Sequence, residues 1–390
     1  MDGEIKILEY RKLNVQKQLG SGTFGTVYLA NCDEPEVTNP VVMKVMHESV
    51  SRGNAAKKLF MKEARLLAEL YHENIVRMHG ICMNPLAIVL EYVVFDFEPF
   101  NRNVKVNTLD KGLSEIAPSA KSDDREFDHL IPAIANDVAK GLSHLHYLEV
   151  AHRDLKPANI LISNQHYCAL RDRQQIKRIK AVRPVVCKLA DFGESRSQLL
   201  QTNGLNDPST KDIFRGTIPF MAPEILLPER MTQGRKLTLE DLKKVDIWAL
   251  GLVFYCLINP DVTYPYEQQA TDLSEIIMKL RQRKRPTCNP EYRIKQKTVW
   301  LSVKEAFESC TNYDPSKRPK AADILAVLNP SRVPGRNDAS TTSKLVFSMY
   351  SKKEISTLIV CINIVQWIES SRERSITEVR ISKFRPLRKP

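Results

Sequence analysis

The chain has 390 residues, of which 43% are hydrophobic and 27% are charged, and its formal net charge is +12 at pH 7. This composition excludes a disordered or fibrous chain, and the length is sufficient for one large domain or for two lobes with a shared cleft. The eight cysteines form neither a dense disulfide framework nor a C-x-x-C pair typical of metal sites. We therefore expect the reduced thiols of an intracellular protein.

Neither a signal peptide nor a membrane span is predicted. The first residues, MDGEIKILEYRK, are charged from position 2 and lack the apolar core of a signal peptide. The longest apolar stretches, 247–258 and 356–368, are too short and too polar to cross a bilayer. Attraction to acidic substrates or to membrane surfaces explains the net charge as simply as nucleic acid does, because no aromatic–basic repeat accompanies it. We expect a cytoplasmic protein that binds no specific nucleic acid.

The first predicted element is a glycine loop between two strands. Residues 13–19 lead into GSGTFG at 20–25, and TVYL at 26–29 continues as a strand. The G-x-G-x-x-G motif also occurs in dinucleotide-binding domains, where a helix follows it and an acidic ribose ligand lies about 20 residues on. Neither feature is present here, so we favour a hairpin whose backbone N–H groups approach phosphate oxygens. A plain surface hairpin is the alternative.

A lysine inside a strand and a glutamate on the next helix form the second candidate feature. Residues 41–46 (VVMKVM) predict an apolar strand, in which the Lys44 ammonium would be costly without a partner. Residues 54–70 predict a helix, with Glu63 between Leu59 and Leu67 on the inward face. A lone charge on such a face is usually a snorkelling edge residue, but the two opposite charges favour an ion pair between the elements.

The next elements are predicted with unequal support. Strands are expected at 72–80 and 86–93. Residues 95–127 are rich in Asn, Asp, Ser, Glu and Pro and predict a long, partly disordered loop. Apolar residues then recur every three or four positions between 131 and 145, which predicts a buried helix over 128–149.

Residues with the chemistry of phosphoryl transfer lie in HRDLKPAN at 152–159 and in DFG at 191–193. Asp154 can orient a hydroxyl group, and Lys156 can neutralise a moving phosphate. Asn159 and Asp191 offer the oxygen ligands that Mg²⁺ prefers. Polar turn residues bonded to their own backbone are the alternative for any one of them. Their joint occurrence in this order favours the catalytic reading.

These strings resemble the eukaryotic protein kinases. The resemblance covers about residues 10–328 and implies an α+β, bilobal fold with ATP between the lobes. The N-lobe (about 10–93) would be β-rich with one main helix, and the C-lobe (about 94–328) mainly helical, with inserts at about 95–127 and 165–184. The TVY after the glycine loop, HRDLKPAN and the later FMAPE look closest to the tyrosine-kinase-like group of Ser/Thr kinases.

The resemblance implies ATP and Mg as cofactors and assigns roles by position. The catalytic residues would be Lys44, Asp154, Lys156, Asn159 and Asp191, and the metal would be held by Asn159 and Asp191. The residues that the resemblance places around the nucleotide are Gly20, Ser21, Gly22, Gly25, Val27, Val42, Lys44, Glu63, Leu90, Glu91, Val93 and Leu161.

Some of these nucleotide contacts are implied in more detail. Lys44 would hold the α- and β-phosphates, and Glu63 would hold Lys44. Leu90 would guard the back of the adenine pocket, and the backbone of Glu91 and Val93 would bind the adenine edge. The bulky run FDFEPF at 95–100 stands where the family usually has small residues and a polar ribose contact.

The resemblance also bears on substrate and regulation. Lys156, followed by proline, and Thr217 are Ser/Thr-kinase features, so we expect a protein substrate that carries Ser or Thr. A phosphate on Ser209 or Thr210 is expected to order the segment 191–224, because Arg153 can pair with it. The other candidate hydroxyls are Ser195, Ser197 and Thr202. A pseudokinase scaffold that binds nucleotide and partners without catalysis is the alternative.

Three structural roles are implied as well. Glu224 should pair with Arg318, and Asp246 should accept hydrogen bonds from the backbone of the catalytic loop. An apolar column should join the lobes, formed by Leu67, Met78, His152 and Phe192.

Two segments remain outside the resemblance. Residues 171–183 (RDRQQIKRIKAVR) carry six basic residues and one acid. They predict a solvated loop, and the sharper hypothesis is a dock for an acidic partner or a membrane surface. Residues 329–390 predict a linker and a short tail, with strands at 346–350, 357–365 and 376–381.

Overall fold

The computed structural model describes residues 5–22, 25–48, 54–121, 125–168, 170–193, 195–197, 216–227, 237–266 and 272–329. Among the described helices, none combines the length and the apolar character that crossing a membrane requires. The predicted tail strands and the hydroxyl residues Thr202, Ser209 and Thr210 lie outside the described residues.

A five-stranded antiparallel sheet forms the N-lobe, in the order β1-β2-β3-β5-β4. Its strands are β1 (Leu13–Ser21), β2 (Gly25–Cys32), β3 (Val41–Met46), β4 (Met78–Met83) and β5 (Leu86–Glu91). One helix, α1 (Asn54–Glu69), joins β3 to β4. The predicted strands around the glycine loop, the strand at 41–46 and the helix after it are confirmed. The strand expected from residue 72 begins only at Met78.

The C-lobe is mainly helical and is built around α7 (Leu239–Leu257), where fourteen of nineteen residues are buried. The remaining helices are α2 (Leu109–Lys121), α3 (Leu130–Tyr147), α4 (Gln165–Cys168), α5 (Arg173–Val182), α6 (Pro223–Leu226), α8 (Leu273–Arg281), α9 (Arg293–Lys297), α10 (Leu301–Cys310) and α11 (Ala321–Leu328). Short strands complete the lobe: β6 (Phe95–Asp96), β7 (Lys105–Val106), β8 (Val150–Ala151), β9 (Ile160–Ser163), β10 (Val186–Leu189) and β11 (Arg196–Ser197). A β-rich lobe and a helical lobe together confirm the predicted α+β fold.

The long loop predicted at 95–127 is wrong. Strands β6 and β7 form a short hairpin there, and α2 follows it. The physical reason is a cluster of buried aromatic rings, whose centroids lie 4.8–6.0 Å apart. The rings belong to Phe95, Phe97, Phe100 and Phe127. The bulky run at 95–100 therefore serves the core.

The charged loop predicted at 171–183 is also wrong, because most of this segment is helical. The Asp172 side chain accepts a hydrogen bond from the Gln174 N–H (2.8 Å) and caps the N-terminus of α5. No residue of this helix is fully buried, and three of its four basic side chains are exposed as expected.

Two stacked histidines join the segment after α1 to the C-lobe. The rings of His72 and His144, which lies on α3, have centroids 4.5 Å apart. The His72 Nδ1 accepts a hydrogen bond from the Asn74 N–H (3.0 Å), which requires an unprotonated Nδ1. Burial lowers the pKa of His72 to about 4, and the nearby His144, Lys140 and Lys188 act in the same direction. Burial also lowers the pKa of His144.

We expect the chain to lose stability as the pH falls from 7 to 5, and His72 to account for part of the loss. The His72 pKa is near 6.5 in the unfolded state and about 4 in the folded state. At a pH between these two values, His72 is protonated in the unfolded state but not in the folded state. With allowance for solvent screening at this half-buried site, His72 should contribute about 1 kcal/mol at pH 5. The measurement is urea denaturation at both pH values.

His72→Asn keeps an acceptor for the Asn74 N–H and should reduce the pH dependence. The exposed His166 provides the matched control, since His166→Asn leaves His72 in place and should retain its contribution. Equal dependence in all three proteins would contradict this role of His72.

Candidate active site

Lys44, Glu63 and Asp191 meet between the N-lobe sheet, α1 and the segment after β10. The Lys44 Nζ lies 3.0 Å from Glu63 Oε1 and 3.2 Å from Asp191 Oδ1. Burial alone would lower the pKa of Lys44, but the two carboxylates outweigh it and raise that pKa above its ordinary value. Burial alone would raise the pKa of Asp191, yet the Lys44 ammonium holds it below the usual range. Lys44 and Asp191 are therefore both charged at neutral pH.

The inward face of α1 differs from the prediction by one position. Leu59 is 53% exposed, whereas Phe60, Ala64 and Leu67 are buried. Phe60, Glu63 and Leu67 follow the i, i+3, i+7 spacing of one helix face, so Glu63 faces the lysine as predicted, although its expected neighbour Leu59 faces solvent.

The triplet after β10 places Asp191 toward the lysine and Phe192 into the core. Asp191 has a backbone φ of 63°, in the left-handed region, and Phe192 is buried. The Phe192 ring lies 5.2 Å from the His152 ring. Leu67 belongs to the same hydrophobic core, and Met78 packs against it. The backbone turn at Asp191 thus lets one short triplet serve the site and the packing between lobes.

Helix α7 supports the catalytic loop through the side chain of Asp246. The buried Asp246 carboxylate accepts hydrogen bonds from the backbone N–H groups of His152 and Arg153, both at 2.8 Å. This is the role predicted for Asp246. A further contact was not predicted: the Nε2 of His146, at the end of α3, lies 3.0 Å from Asp246 Oδ2.

Three polar side chains surround the Asp154 carboxylate. Lys156 Nζ lies 2.8 Å and Asn159 Nδ2 lies 2.9 Å from Oδ2. The Thr217 hydroxyl donates to Oδ1 (2.9 Å) and accepts from Lys156 Nζ (2.6 Å). The amide of Asn159 also donates to the Asp154 carbonyl (2.8 Å). These bonds fix the direction of the carboxylate, as a group that aligns a hydroxyl requires.

The side chains predicted to hold Mg²⁺ suit that ion when it is bound with a nucleotide. Asn159 uses its NH₂ group for both hydrogen bonds within the loop, so its carbonyl oxygen is the end left for a cation. Asp191 supplies a carboxylate that is half exposed. Within the described ranges no group of three or more His, Cys, Asp or Glu could hold a metal ion. The remaining ligands would be phosphate oxygens and water, which is how Mg²⁺ is commonly held at phosphates.

The glycines of the loop have different tasks. A Cβ atom at Gly20 or Gly22 would meet nothing within 4 Å, so packing does not demand these glycines and access for a ligand explains them better. A Cβ at Gly25 would lie 2.3 Å from the Val45 carbonyl oxygen, so Gly25 is needed for the close approach of β2 to β3. Ser21 is exposed at the end of β1, with its hydroxyl 3.2 Å from that of Thr26.

The predicted adenine pocket has partly exposed apolar side chains among buried neighbours. Val27 pairs with Lys44, and Val42 pairs with Leu90, across adjacent strands. These side chains and Leu161 on β9 are half-buried, whereas Val41 and Met43 are fully buried.

One backbone group predicted to bind the adenine edge is hydrogen-bonded to another residue of the protein. The Val93 carbonyl accepts a hydrogen bond from Asn107 Nδ2 (2.5 Å), and the Glu91 side chain binds the Arg77 N–H and Lys188. Neither partner was predicted, since nothing in the local sequence connects Asn107 with a residue fourteen positions earlier. These contacts fix the segment from Glu91 to Val93, which links the two lobes.

The predicted pair of Glu224 and Arg318 is present and bidentate. Arg318 Nη1 and Nη2 lie 2.6 and 2.8 Å from the two carboxylate oxygens. Arg318 is 1% exposed and its guanidinium lies 5.0 Å from the Trp248 ring centre. The pair therefore ties α6 to the buried helix α7 and to the turn before α11.

A cation between two carboxylates, an aligned catalytic carboxylate and an open glycine loop define the class of phosphoryl-transfer enzymes with two lobes. The family model of the protein kinase domain matches residues 13–327. The chain belongs to the protein kinase family.

Individual relatives agree with this family. A protein of Dictyostelium discoideum named "Probable cyclin-dependent kinase 8" is 29% identical, over 80% of this chain and 79% of its own length. A probable serine/threonine-protein kinase of the same organism is 26% identical over 84% of this chain. The high affinity nerve growth factor receptor of Gallus gallus is 27% identical over 80% of this chain. The match spans only 20% and 34% of the length of these last two relatives.

Proposed function

We propose that the chain transfers the γ-phosphoryl group of ATP, assisted by Mg²⁺, to Ser and Thr hydroxyls of proteins. The observation that carries this proposal is the set of hydrogen bonds joining Thr217, Asp154 and Lys156. It places a carboxylate, an ammonium and a hydroxyl within one small volume beside the catalytic loop.

Each residue then has a defined part in the transfer. Asp154 accepts a hydrogen bond from the substrate hydroxyl and aligns it with the phosphorus atom. Lys156 neutralises negative charge on the transferred group, and Lys44, fixed by Glu63, holds the phosphates that stay behind. Bound Mg²⁺ supplies further neutralisation of the phosphates through Asp191 and Asn159.

The proposed preference for Ser and Thr rests on the space beside Asp154. The Thr217 hydroxyl lies 2.9 Å from Asp154 Oδ1, and we propose that the substrate backbone lies close to this part of the catalytic loop. A short hydroxyl side chain suits this approach, whereas a tyrosine ring would hold its backbone several ångströms farther away. The motifs named above support a place in the tyrosine-kinase-like group, and we propose signalling in the cytoplasm as the setting.

Phosphoamino-acid analysis tests this proposal. The wild-type chain and Asp191→Ala would each be incubated with labelled ATP, Mg²⁺ and a generic basic protein. We expect labelled phosphoserine and phosphothreonine, both dependent on Mg²⁺ and both lost in Asp191→Ala. Label on tyrosine would contradict the substrate class. No label from a folded wild-type chain phosphorylated on its activation segment would favour the pseudokinase scaffold.

A further inference from the structure

The hairpin β6–β7 and the segment that carries α4 and α5 are built into one unit. Asn164 is fully buried: its Oδ1 accepts from the Asp96 N–H (2.8 Å), and its Nδ2 donates to the Asp96 carbonyl (2.7 Å). The buried Tyr167 hydroxyl donates to the Pro184 carbonyl (2.9 Å) and closes the other end of the segment. The segment 164–184, which carries α4 and α5, is therefore fixed at both ends.

Helix α5 is also held from the side. The Lys180 Nζ lies 3.5 Å from the centre of the Phe100 ring, within range of a cation–π interaction. Phe100 is itself buried in the aromatic cluster. The partly buried Ile176 and Ile179 point to the same inner side of the helix. Lys180 is thus committed to the fold, whereas the other basic side chains of α5 are exposed.

Four exposed basic residues lie on α5 or directly before its cap, and together they are called the outer face: Arg171, Arg173, Lys177 and Arg178. None forms an ion pair with another described residue, and α5 contains no acid of its own. The neighbouring acid Asp172 is used as the helix cap, and Glu126 faces Lys180 on the inner side. Among the described residues, no ion pair therefore compensates the charge of these four side chains.

This charge arrangement is unfavourable in the free protein. Arg173 and Lys177 are like charges at i, i+4, which destabilises a helix. Arg171 and Arg173 also stand at the positive end of the helix dipole. An anionic partner would relieve both effects, and because the helix is anchored beforehand, binding would cost little ordering of this surface.

We propose that the outer face of α5 is a docking surface for an acidic polypeptide segment of a partner protein. The ten residues of α5 span about 15 Å, which an extended acidic segment of about five residues would match. A lipid surface fits less well, because Ile176 and Ile179 face inward and only Val182, in the last turn, exposes an apolar side chain. Nucleic acid fits less well because α5 contains no aromatic residue on which a base could stack.

Direct binding tests the proposal without any need for kinase activity. The probe is a fluorescent peptide of alternating Asp and Glu, measured by anisotropy with the full chain. The test variant changes the four outer residues to Gln, which keeps helix propensity. The matched control changes four exposed basic residues elsewhere to Gln: Lys284, Arg293, Lys297 and Lys317.

We expect the test variant to bind the probe about tenfold more weakly than wild type, as the loss of four exposed charge pairs implies. The control variant should bind like wild type, and added salt should weaken binding in both. Thermal unfolding of the test variant should occur at the wild-type temperature or slightly above it, since these side chains make no anchoring contact and their mutual repulsion is removed. Equal weakening in both variants, or no binding of the probe by wild type, would overturn the proposal. Tighter α5-dependent binding to phosphatidylserine vesicles or to an RNA oligomer would overturn it as well.

Discussion

Replacing Asp154 with Asn is expected to lower kcat for phosphoryl transfer by about three orders of magnitude. The variant keeps the size of the side chain but loses the negative charge and one acceptor. In the wild-type site, Asp154 Oδ1 accepts from Thr217, and Oδ2 accepts from Lys156 and Asn159. An amide cannot accept at both positions, so the alignment of the substrate hydroxyl cannot be retained.

The effect should be confined to the chemical step. Lys44, Glu63 and Asp191 are untouched by the substitution, and Asn159 keeps its hydrogen bond to the Asp154 carbonyl. The affinity for MgATP should therefore change by less than about threefold, a small free energy beside the loss in kcat. The exposed Asp33 offers a matched control, and Asp33→Asn should retain wild-type kcat. Steady-state kinetics with both substrates varied makes the comparison. A kcat within tenfold of wild type for Asp154→Asn would contradict its assigned role.

Replacing Arg318 with Met is expected to lower the free energy of unfolding by about 3–5 kcal/mol, the cost of breaking a buried ion pair. The change removes both bonds to Glu224 and leaves that carboxylate without its partner. It also removes hydrogen bonds to the carbonyls of Lys244 and Asn312. Met retains much of the contact with the Trp248 ring, so the loss should come chiefly from the uncompensated charge.

A second substitution separates these causes. Glu224→Leu in the Arg318→Met background removes the stranded carboxylate and should recover a large part of the lost stability. The exposed Arg293 provides the control, because Arg293→Met should shift the free energy of unfolding by less than about 0.5 kcal/mol. Urea denaturation reports all four proteins. A loss below 1 kcal/mol in Arg318→Met, or no recovery in the double variant, would show that the pair does not stabilise the fold in this way.

The chemistry was predictable from sequence because its residues lie in short, ordered strings. Asp154, Lys156 and Asn159 fall within six positions, and the backbone of one loop brings them together. The pair of Lys44 and Glu63 was predictable for another reason, since a charge inside an apolar strand needs a partner. The error at Leu59 arose because an i, i+4 rule alone permits several phases of the same helix face.

The inserted segments were not predictable, because their determinants are distant in sequence. The average composition of 95–127 is polar, and it gave no weight to the four phenylalanines at 95, 97, 100 and 127 whose rings are buried. The hydrogen bond between the Asp96 backbone and the Asn164 side chain joins residues 68 positions apart, and no local sequence pattern predicts it. The braces formed by Asn107 and His146 were missed for the same reason.

The convergence of Lys44, Asp191 and Asn159 on one nucleotide is tested most directly by the position of a manganese ion. Crystals of the chain would be grown with Mn²⁺ and a non-hydrolysable ATP analogue, and the ion located by its anomalous scattering. We predict a peak bound by the side-chain oxygens of Asp191 and Asn159, with the phosphates of the analogue beside Lys44. A nucleotide bound elsewhere, or a manganese ion that contacts neither oxygen, would contradict the proposed site.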